Sequence, residues 1–190
     1  MPELPEVETI RRQLEPEIEG RRIDRAEVLD ERWTRPEPAA KIERALPGRT
    51  IETVGRRGKY LLLGLDEGST LLMHLRMTGN LLLADPEGAE RRFGMDRLHP
   101  ASTEPPHLRA ELELDDGRLL RFTDPRRFGH ASLLAEGELG PYLDARIGVE
   151  PLSDDLTPEL IGRIAEGRKA PLKSFLLDQR GIAGIGNIYA

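Results

Sequence analysis

The sequence predicts an α+β fold in which a β-rich region is preceded and followed by helices. Three observations support this prediction: apolar residues near the N-terminus recur at helical spacing, residues 50–134 alternate short apolar segments with turn signals, and two helix-start signals follow residue 136. Several short strands at such spacing are typical of a β-sandwich or a β-barrel. The 190 residues are enough for one domain or one and a half, with no need of disulfides.

The first helix is predicted to follow Pro5, because proline suits the first helical turn. Its apolar positions are spaced as one helical face requires: Val7, Ile10 and Leu14. Pro16 is predicted to end this helix, since its ring clashes with the preceding turn. Residues 23–29 alternate as a strand does, and residues 37–46 form a short predicted helix that a Pro-Gly pair closes.

The central region is predicted to be mainly β. Its short apolar segments are separated by turn residues and cover residues 50–57, 59–65, 70–75, 80–84, 108–114, 118–123 and 130–134. Two of the turns, at residues 66–68 and 115–117, combine acidic residues with glycine as hairpin turns do. Residues 85–106 are polar and rich in proline and arginine, so they are predicted to form a long loop.

The chain changes character after about residue 136. One helix is predicted to begin at Thr157-Pro158 and a second at Pro171. A glycine-rich segment at residues 181–186 follows, without the spacing, preceding strand or later acidic residue of a dinucleotide-binding fingerprint. A plain helix–helix connection and a contact with a phosphate backbone both remain open for it, because glycines allow close approach and a following helix N-terminus suits phosphate.

Composition excludes several classes of protein. The sequence has no cysteine, which excludes a disulfide scaffold, a thiol nucleophile and a cysteine-ligated zinc site within it. No apolar run approaches the roughly 18 residues of a membrane span, and the acidic N-terminus is unlike a secretory signal. We therefore expect a cytoplasmic protein with no membrane partner.

The charges are unevenly distributed along the chain. Lysine and arginine number 28 against 34 aspartate and glutamate, and the net charge of −6 argues against a nucleic-acid binder of the usual basic kind. Basic residues nevertheless gather at residues 51–60, at residues 118–127 and in the C-terminal part, each time beside a glycine-containing turn. Such clusters are often solvated faces, so both interpretations remain open.

The N-terminus offers an unusual nucleophile. Met1 is expected to be removed because the next residue is small, which leaves Pro2 with a free secondary amine. A terminal amine has a pKa near 8 against about 10.4 for lysine, so it is far more often neutral at pH 7. Such an amine can attack a carbon at the aldehyde oxidation level to give an iminium, with Glu3 beside it as acid or base. On these residues alone, an ordinary chain start remains the alternative.

Seven sequence blocks resemble one family. The start MPELPEVETIRR resembles the N-terminal signature of the formamidopyrimidine-DNA glycosylases, bacterial repair enzymes for oxidised purines. The other blocks are similar to that family in the family's order and span nearly the whole chain: GKYLLL, MHLRMTG, FTDPRRFG, GVEPLS, LKSFLLDQR and GIAGIGNIYA. The resemblance implies a β-sandwich catalytic domain flanked by helices at residues 1–135. It further implies a linker and the first part of a helix–two-turn–helix domain at residues 136–190.

The resemblance implies catalytic roles for four residues. Pro2 matches the amine that attacks C1′ of the damaged nucleotide, and Glu3 matches the acid that assists base release and ring opening. Glu6 lies in the same block with a supporting role. Lys59 matches a lysine linked to phosphate binding and β-elimination; without the resemblance it would be a strand lysine with its charge in solvent.

The resemblance also implies DNA contacts. Met77, Arg126 and Phe128 match the trio that fills the gap left by an everted nucleotide, since a thioether and an aromatic ring can unstack bases while a guanidinium bonds the orphaned partner. Taken alone, Met77 and Phe128 would be core residues. The other expected contacts with DNA are His74, His107, Arg168, Lys169, Lys173 and Asn187.

The resemblance implies a bifunctional glycosylase and lyase acting on damaged double-stranded DNA as a monomer. It would remove 8-oxoguanine or formamidopyrimidine from a flipped nucleotide through an imine with Pro2, and β- and δ-elimination would follow. An endonuclease VIII-like enzyme for oxidised pyrimidines and a damage-binding protein without chemistry remain alternatives. The start PELPEVE favours the purine enzyme, and intact Pro2, Glu3 and Lys59 favour catalysis.

The sequence departs from the family pattern in three respects. Where the family often has a histidine-rich stretch before residue 108, this sequence has only His107. It lacks the four cysteines of the family's zinc finger, so no cofactor is expected in this chain, one structural zinc is expected in full-length members, and this chain is expected to be impaired. Arg76 stands where the family commonly has glycine, which is expected to alter local contacts with the groove.

Overall fold

The computed structural model describes residues 2–87, 89–94, 97–100 and 106–190. Its strands are β1 (Ile23–Val28), β2 (Ile51–Arg57), β3 (Tyr60–Leu65), β4 (Thr70–His74), β5 (Asn80–Ala84), β6 (Ala89–Arg92), β7 (Arg97–Pro100), β8 (Leu108–Leu114), β9 (Leu119–Thr123) and β10 (His130–Leu134). The helices are α1 (Leu4–Ile18), α2 (Ala39–Ala45), α3 (Leu139–Asp144), α4 (Pro158–Ala165) and α5 (Leu172–Leu177). The prediction of an α+β fold is confirmed.

The strands form two antiparallel sheets. One sheet has the order β1-β8-β9-β5-β6-β7 and the other the order β10-β4-β3-β2. Leu61 and Leu63 of β3 share one buried cluster with Leu112 of β8 and Phe122 of β9. Because residues of both sheets face the same core, the sheets form a sandwich, as the sequence blocks imply. The apolar face of α1 joins this core through Val7, Ile10, Leu14 and Ile18.

A second, smaller core lies on the other face of the four-stranded sheet. In β4, Leu71 and Met73 belong to the main core, whereas Leu72 belongs to the second cluster. This alternation explains why the three consecutive apolar residues of β4 are all buried, on opposite faces of the sheet. The second cluster also contains Ile147 and Ala183 from the C-terminal part of the chain. The C-terminal part is therefore packed against the sheet, while the predicted division after residue 135 stays a prediction.

Two predictions about local structure are wrong. Pro16 does not end α1, which continues to Ile18. Pro16 lies in the last turn and costs the helix the hydrogen bond of its own missing N–H, whereas the fully buried Ile18 is held in the core, and its burial offsets that loss. Residues 85–106 are not a loop throughout, because β6 and β7 form a hairpin that pairs with β5; residues 101–105 lie outside the described residues.

Two of the three helices of the C-terminal part, α4 and α5, begin where the sequence predicts. Thr157 caps α4, its hydroxyl accepting a hydrogen bond from the backbone N–H of Leu160 at 3.2 Å. α5 follows Pro171, whereas the short α3 is not predicted from the sequence. None of the helices in the described part of the chain combines the length and apolar character that a bilayer crossing requires.

Candidate active site

Pro2 lies between two cavities at the N-terminal end of α1. One cavity, of about 570 Å³, also contacts Glu6, Met77 and His107. The other, of about 620 Å³, brings Pro2 together with Lys59, His74, Met77 and Phe128. Four of the predicted site residues thus share one cavity with Pro2, although they come from the β2–β3 turn, β4 and two loops.

The start of α1 places the first residues by a local hydrogen-bond pattern. The backbone N–H of Glu3 donates to the Glu6 carboxylate at 2.9 Å, and the Glu3 carbonyl accepts from the N–H of Val7 at 3.0 Å. A glutamate three residues into a helix is a known signal for such capping, and Pro5 in the first turn supports it. The positive end of the helix dipole consequently lies next to Pro2.

The glycine-rich segment packs over the N-terminus. Glu3 is fully buried, and its carboxylate accepts hydrogen bonds from the backbone N–H groups of Ile188 at 2.8 Å and Tyr189 at 3.3 Å. A Cβ at Gly186 would lie 2.1 Å from the Glu3 carboxyl carbon. Gly184 has a φ of +84°, and its carbonyl accepts from the N–H of Leu4. These glycines allow the segment to approach residues 3 and 4. Neither the helix–helix connection nor the phosphate contact that the sequence left open predicts this packing.

Lys59 is held between the sheet and the glycine-rich segment. It follows Gly58 in the β2–β3 turn, and its ammonium donates to the carbonyl of Ile185 at 2.8 Å. Burial lowers the pKa of Lys59; the carboxylate of Glu3 opposes this effect, and the Arg76 guanidinium adds to it. Lys59 is therefore not a strand lysine with its charge in solvent, but a partly buried cation beside Pro2.

His74 is a neutral ring within an aromatic cluster. Burial, with a contribution from Arg76, lowers the pKa of His74 to about 3. Its Nδ1 accepts a hydrogen bond from the backbone N–H of Arg76 at 2.9 Å. The ring meets Tyr60 edge-on at 4.7 Å and stacks on His130 at 5.6 Å. The proton of the neutral ring consequently lies on Nε2, so that His74 is a hydrogen-bond donor without charge.

Met77, Arg126 and Phe128 lie in two neighbouring loops with exposed side chains. Met77 is 38% exposed and Phe128 is 53% exposed, so neither is a core residue. The Arg126 guanidinium lies over the Phe128 ring, 4.8 Å from its centre. Met77 contacts both cavities and Phe128 only the larger one. The loops therefore present apolar groups and a cation at the entrance to the Pro2 cavity.

Asp124 joins these two loops and is a residue that sequence reasoning missed. It is fully buried and accepts hydrogen bonds from the Thr78 hydroxyl and from the backbone N–H groups of Arg126 at 3.1 Å, Phe128 at 2.9 Å and Gly129 at 2.7 Å. Its carboxylate thereby sets the loop that carries Arg126 and Phe128 against the loop that carries Met77. The aspartate before proline at the end of β9 is the sequence signal that could have indicated it.

Gln179 is a second missed residue. Its side-chain amide donates to the carbonyl of Ile185 at 2.8 Å and accepts from the N–H of Gly184 at 2.9 Å. It shares the carbonyl of Ile185 with Lys59 and contacts the larger cavity. No local pattern in the sequence marks this contact.

The remaining predicted DNA contacts lie away from the Pro2 cavities, His107 excepted. Arg168 forms an ion pair with Asp178 at 2.6 Å. The ammonium of Lys173 donates to the backbone carbonyl of Asn187 at 3.3 Å, which brings these two residues together, and Lys169 is exposed. The structure thus groups Lys173 with Asn187, whereas Arg168 is occupied by a neighbouring carboxylate.

The chemistry of these residues does not suit a metal ion. The described residues include no cluster of three or more histidine, aspartate or glutamate side chains that could hold one, and the sequence has no cysteine. The zinc that the family resemblance implies for full-length members therefore finds no ligand set here.

The chain is similar to proteins of known name along its length. Residues 1–131 match the family model described as formamidopyrimidine-DNA glycosylase N-terminal domain. The formamidopyrimidine-DNA glycosylase of Chloroflexus aggregans is 48% identical, with 100% of this chain and 64% of the relative aligned. That of Xanthomonas axonopodis pv. citri is 45% identical, again with 100% and 64% aligned. The chain therefore spans 64% of the length of these curated relatives.

Solved structures give the same result. The complex of wild-type Lactococcus lactis Fpg with DNA that contains an oxidised pyrimidine has a TM-score of 0.85 and 33% identity, covering 99% of this chain and 65% of that one. The L. lactis formamidopyrimidine-DNA glycosylase bound non-covalently to DNA with an abasic site has a TM-score of 0.84 and 32% identity, covering 99% and 66%. From the family model, the relatives and the shared fold, we conclude that the chain belongs to the formamidopyrimidine-DNA glycosylase family.

Proposed function

We propose that this chain carries the catalytic centre of a base-excision-repair enzyme, a DNA glycosylase and abasic-site lyase that removes oxidised purines. The observation that carries the proposal is the cavity in which Pro2 faces Lys59, with Met77 and Phe128 exposed at its entrance. The names of the relatives support glycosylase activity, and the solved complexes of L. lactis Fpg with damaged and abasic DNA support damaged double-stranded DNA as the partner.

The proposed chemistry begins at the Pro2 nitrogen. After removal of Met1, this nitrogen attacks C1′ of a flipped nucleotide, the bond from C1′ to the base breaks, and the base leaves with the bonding electrons and takes up a proton. Opening of the sugar ring gives an iminium. Loss of a C2′ proton then expels the 3′ phosphate, a second elimination expels the 5′ phosphate, and water releases the sugar fragment from Pro2.

Three side chains serve these steps in the proposal. Glu3 directly follows Pro2 and transfers protons during base release and ring opening, while Glu6, which contacts the smaller cavity and bonds the N–H of Glu3, holds the N-terminus in place. Lys59 binds the departing phosphate as a partly buried cation in the same cavity as Pro2. Arg126, Met77 and Phe128 occupy the gap in the duplex.

Oxidised pyrimidines are a second candidate for the class of damaged base that the chain removes. The complex of L. lactis Fpg contains an oxidised pyrimidine, which favours a wider range of lesions for the family than oxidised purines alone. A chain that excises oxidised pyrimidines faster than 8-oxoguanine would support the endonuclease VIII-like alternative.

Borohydride trapping tests the proposed function against damage binding without chemistry. We expect a covalent adduct with abasic duplex DNA and none with undamaged duplex, because only an open sugar aldehyde forms a reducible imine. Excision of 8-oxoguanine by the 190-residue chain should be slow, since its net charge of −6 gives no general attraction to phosphate. Specific binding to abasic DNA without any adduct would contradict the proposal.

Substitution of Arg126 tests the proposed gap filling. R126A should weaken binding to duplex with an abasic site by about 1–3 kcal/mol, the usual value of a charge-assisted pair with a base, and should change binding to undamaged duplex much less. R44A, at an exposed arginine of α2, is the matched control. Equal losses on both duplexes would mean that Arg126 contacts only phosphate.

A further inference from the structure

A third cavity, of about 320 Å³, adjoins the Pro2 cavity and is rich in cations. It shares Lys59, His74, Arg76 and Gln179 with the larger cavity, and it continues past them to Tyr142 and Arg146 of the α3 region. The described residues that line it include no aspartate or glutamate. We propose that this cavity, here called the arginine cavity, binds a phosphate group of DNA next to the one that Lys59 contacts; the inference rests on the proposed function.

The arginines of this cavity lack close carboxylate partners among the described residues. Within the described chain, no ion pair within 4.0 Å involves Arg76, Arg146 or Arg180. Fifteen other arginines of the described chain do form such pairs. Arg76 and Arg146 both depress the pKa of His130, so their fields overlap inside the cavity. Four cations thus line the cavity, whereas the carboxylates that interact with them, Glu3 with Lys59 and Asp178 with Arg180, lie outside its lining.

The position of Arg146 is set by its own neighbours. Its guanidinium stacks on the Tyr142 ring at 3.6 Å and donates to the Tyr142 carbonyl at 2.9 Å. One face of the guanidinium is thus used for stacking, while other N–H groups stay available at the cavity. A planar, stacked guanidinium loses little further freedom when it binds a tetrahedral oxyanion.

The neutral groups of the cavity complement these cations. Burial lowers the pKa of His130 to about 4 and raises the pKa of Tyr60, so at neutral pH His130 is uncharged and Tyr60 keeps its proton. His74 carries its proton on Nε2, as argued above. The cavity therefore combines guanidinium charge with imidazole and phenol groups that can donate hydrogen bonds, a set that suits the oxygens of a phosphate.

The place of the cavity selects DNA as the source of that phosphate. Because Lys59 and His74 belong to both cavities, a strand whose damaged nucleotide lies against Pro2 has neighbouring phosphates in this direction. Arg146 and Arg180 would then hold the strand on one side of the lesion. They contribute to affinity for any DNA, damaged or not, since phosphate contacts carry no information on the base.

The salt dependence of binding tests this inference. The double variant R146Q/R180Q should lower the slope of log affinity against log salt by about 0.9 on both undamaged and abasic duplex, the value for the loss of one phosphate contact. The variant R12Q/R44Q, which removes the same charge from exposed positions on α1 and α2, should leave the slope nearly unchanged. The variant R146K keeps the positive charge, so it should retain slope that R146Q/R180Q loses. Equal slopes for the two double variants would overturn the inference.

A second measurement identifies the source of the phosphate. Titration calorimetry of the DNA-free protein with inorganic phosphate should show weak binding that R146Q/R180Q removes. Phosphate binding without any effect of the double variant on the DNA salt slope would overturn the assignment to DNA and indicate a free anion instead. Because the slope is also measured on undamaged duplex, it is independent of imine formation, so failure of trapping and failure of this inference are distinguishable.

Discussion

Replacement of Pro2 by glycine is expected to remove most of the covalent trapping of abasic DNA, because the variant keeps a terminal amine but loses the ring that restricts its position. A chain that retains a residue in front of Pro2 has no amine at this position and is expected to trap none. A terminal amine is neutral at pH 7 several hundred times more often than a lysine side chain, because their usual pKa values are near 8 and about 10.4. The only other amine of the cavity, among the residues described, is that of Lys59, which is bonded to the carbonyl of Ile185. Borohydride cross-linking followed by peptide mapping of the adduct measures the effect.

Lys59 provides the comparison for this experiment. K59R keeps a cation beside Pro2 but removes the second amine, so it should retain the adduct on Pro2 even if later elimination is slower. An adduct that maps to Lys59 in the unmodified chain, or trapping that survives a blocked N-terminus, would contradict the role of Pro2.

Substitution of Gly186 by alanine is expected to cause a comparably large loss, of stability as well as activity. The added Cβ would lie 2.1 Å from the carboxyl carbon of Glu3, which is fully buried beneath the segment at residues 184–189. Either Glu3 or the segment must move, at a cost of about 1–3 kcal/mol for overpacking. Since the same segment supplies the Ile185 carbonyl to Lys59, we expect trapping to fall at least tenfold. The melting temperature and the trapping rate are the two measurements.

Gly162 provides a matched glycine-to-alanine control. It lies within α4, and a Cβ there would have no atom within 4 Å. G162A should leave trapping unchanged and stabilise the protein by up to about 1 kcal/mol, because alanine is favoured over glycine inside a helix. If G186A and G162A have the same melting temperature and the same trapping rate, the close packing of the glycine-rich segment on Glu3 is not needed.

The strands illustrate how far local pattern determines structure. The segments at residues 80–84, 108–114 and 130–134 have the bounds that alternation and turn residues predict. β6 and β7 escaped prediction because β6 is mostly polar. Its Glu90 is buried against Arg121 at 3.7 Å, and that partner comes from β9, thirty-one residues further along the chain. A charge pair of this kind leaves no apolar signal in the sequence.

The candidate site also combines residues that local motifs predict with contacts that only the fold shows. Motif resemblance predicts Pro2, Glu3 and Lys59 as site residues, and the structure brings Pro2 and Lys59 to one cavity. Resemblance could not show that Asp124 ties two loops together, since one of its partners, Thr78, is 46 residues away. It also could not show that Arg168 is engaged by Asp178.

By itself the sequence determined the α+β class, most strands, the starts of α4 and α5 and the family, because these depend on residue spacing and on motifs that are local. Three features were decided only by the tertiary structure: a sandwich and not a barrel, the burial of Glu3 beneath the glycine-rich segment, and the arginine cavity beside Lys59. The hydrogen bond from Ile188 to Glu3 joins residues 185 positions apart. Such contacts form only when packing of the two cores brings distant segments together, and no local pattern encodes the partner.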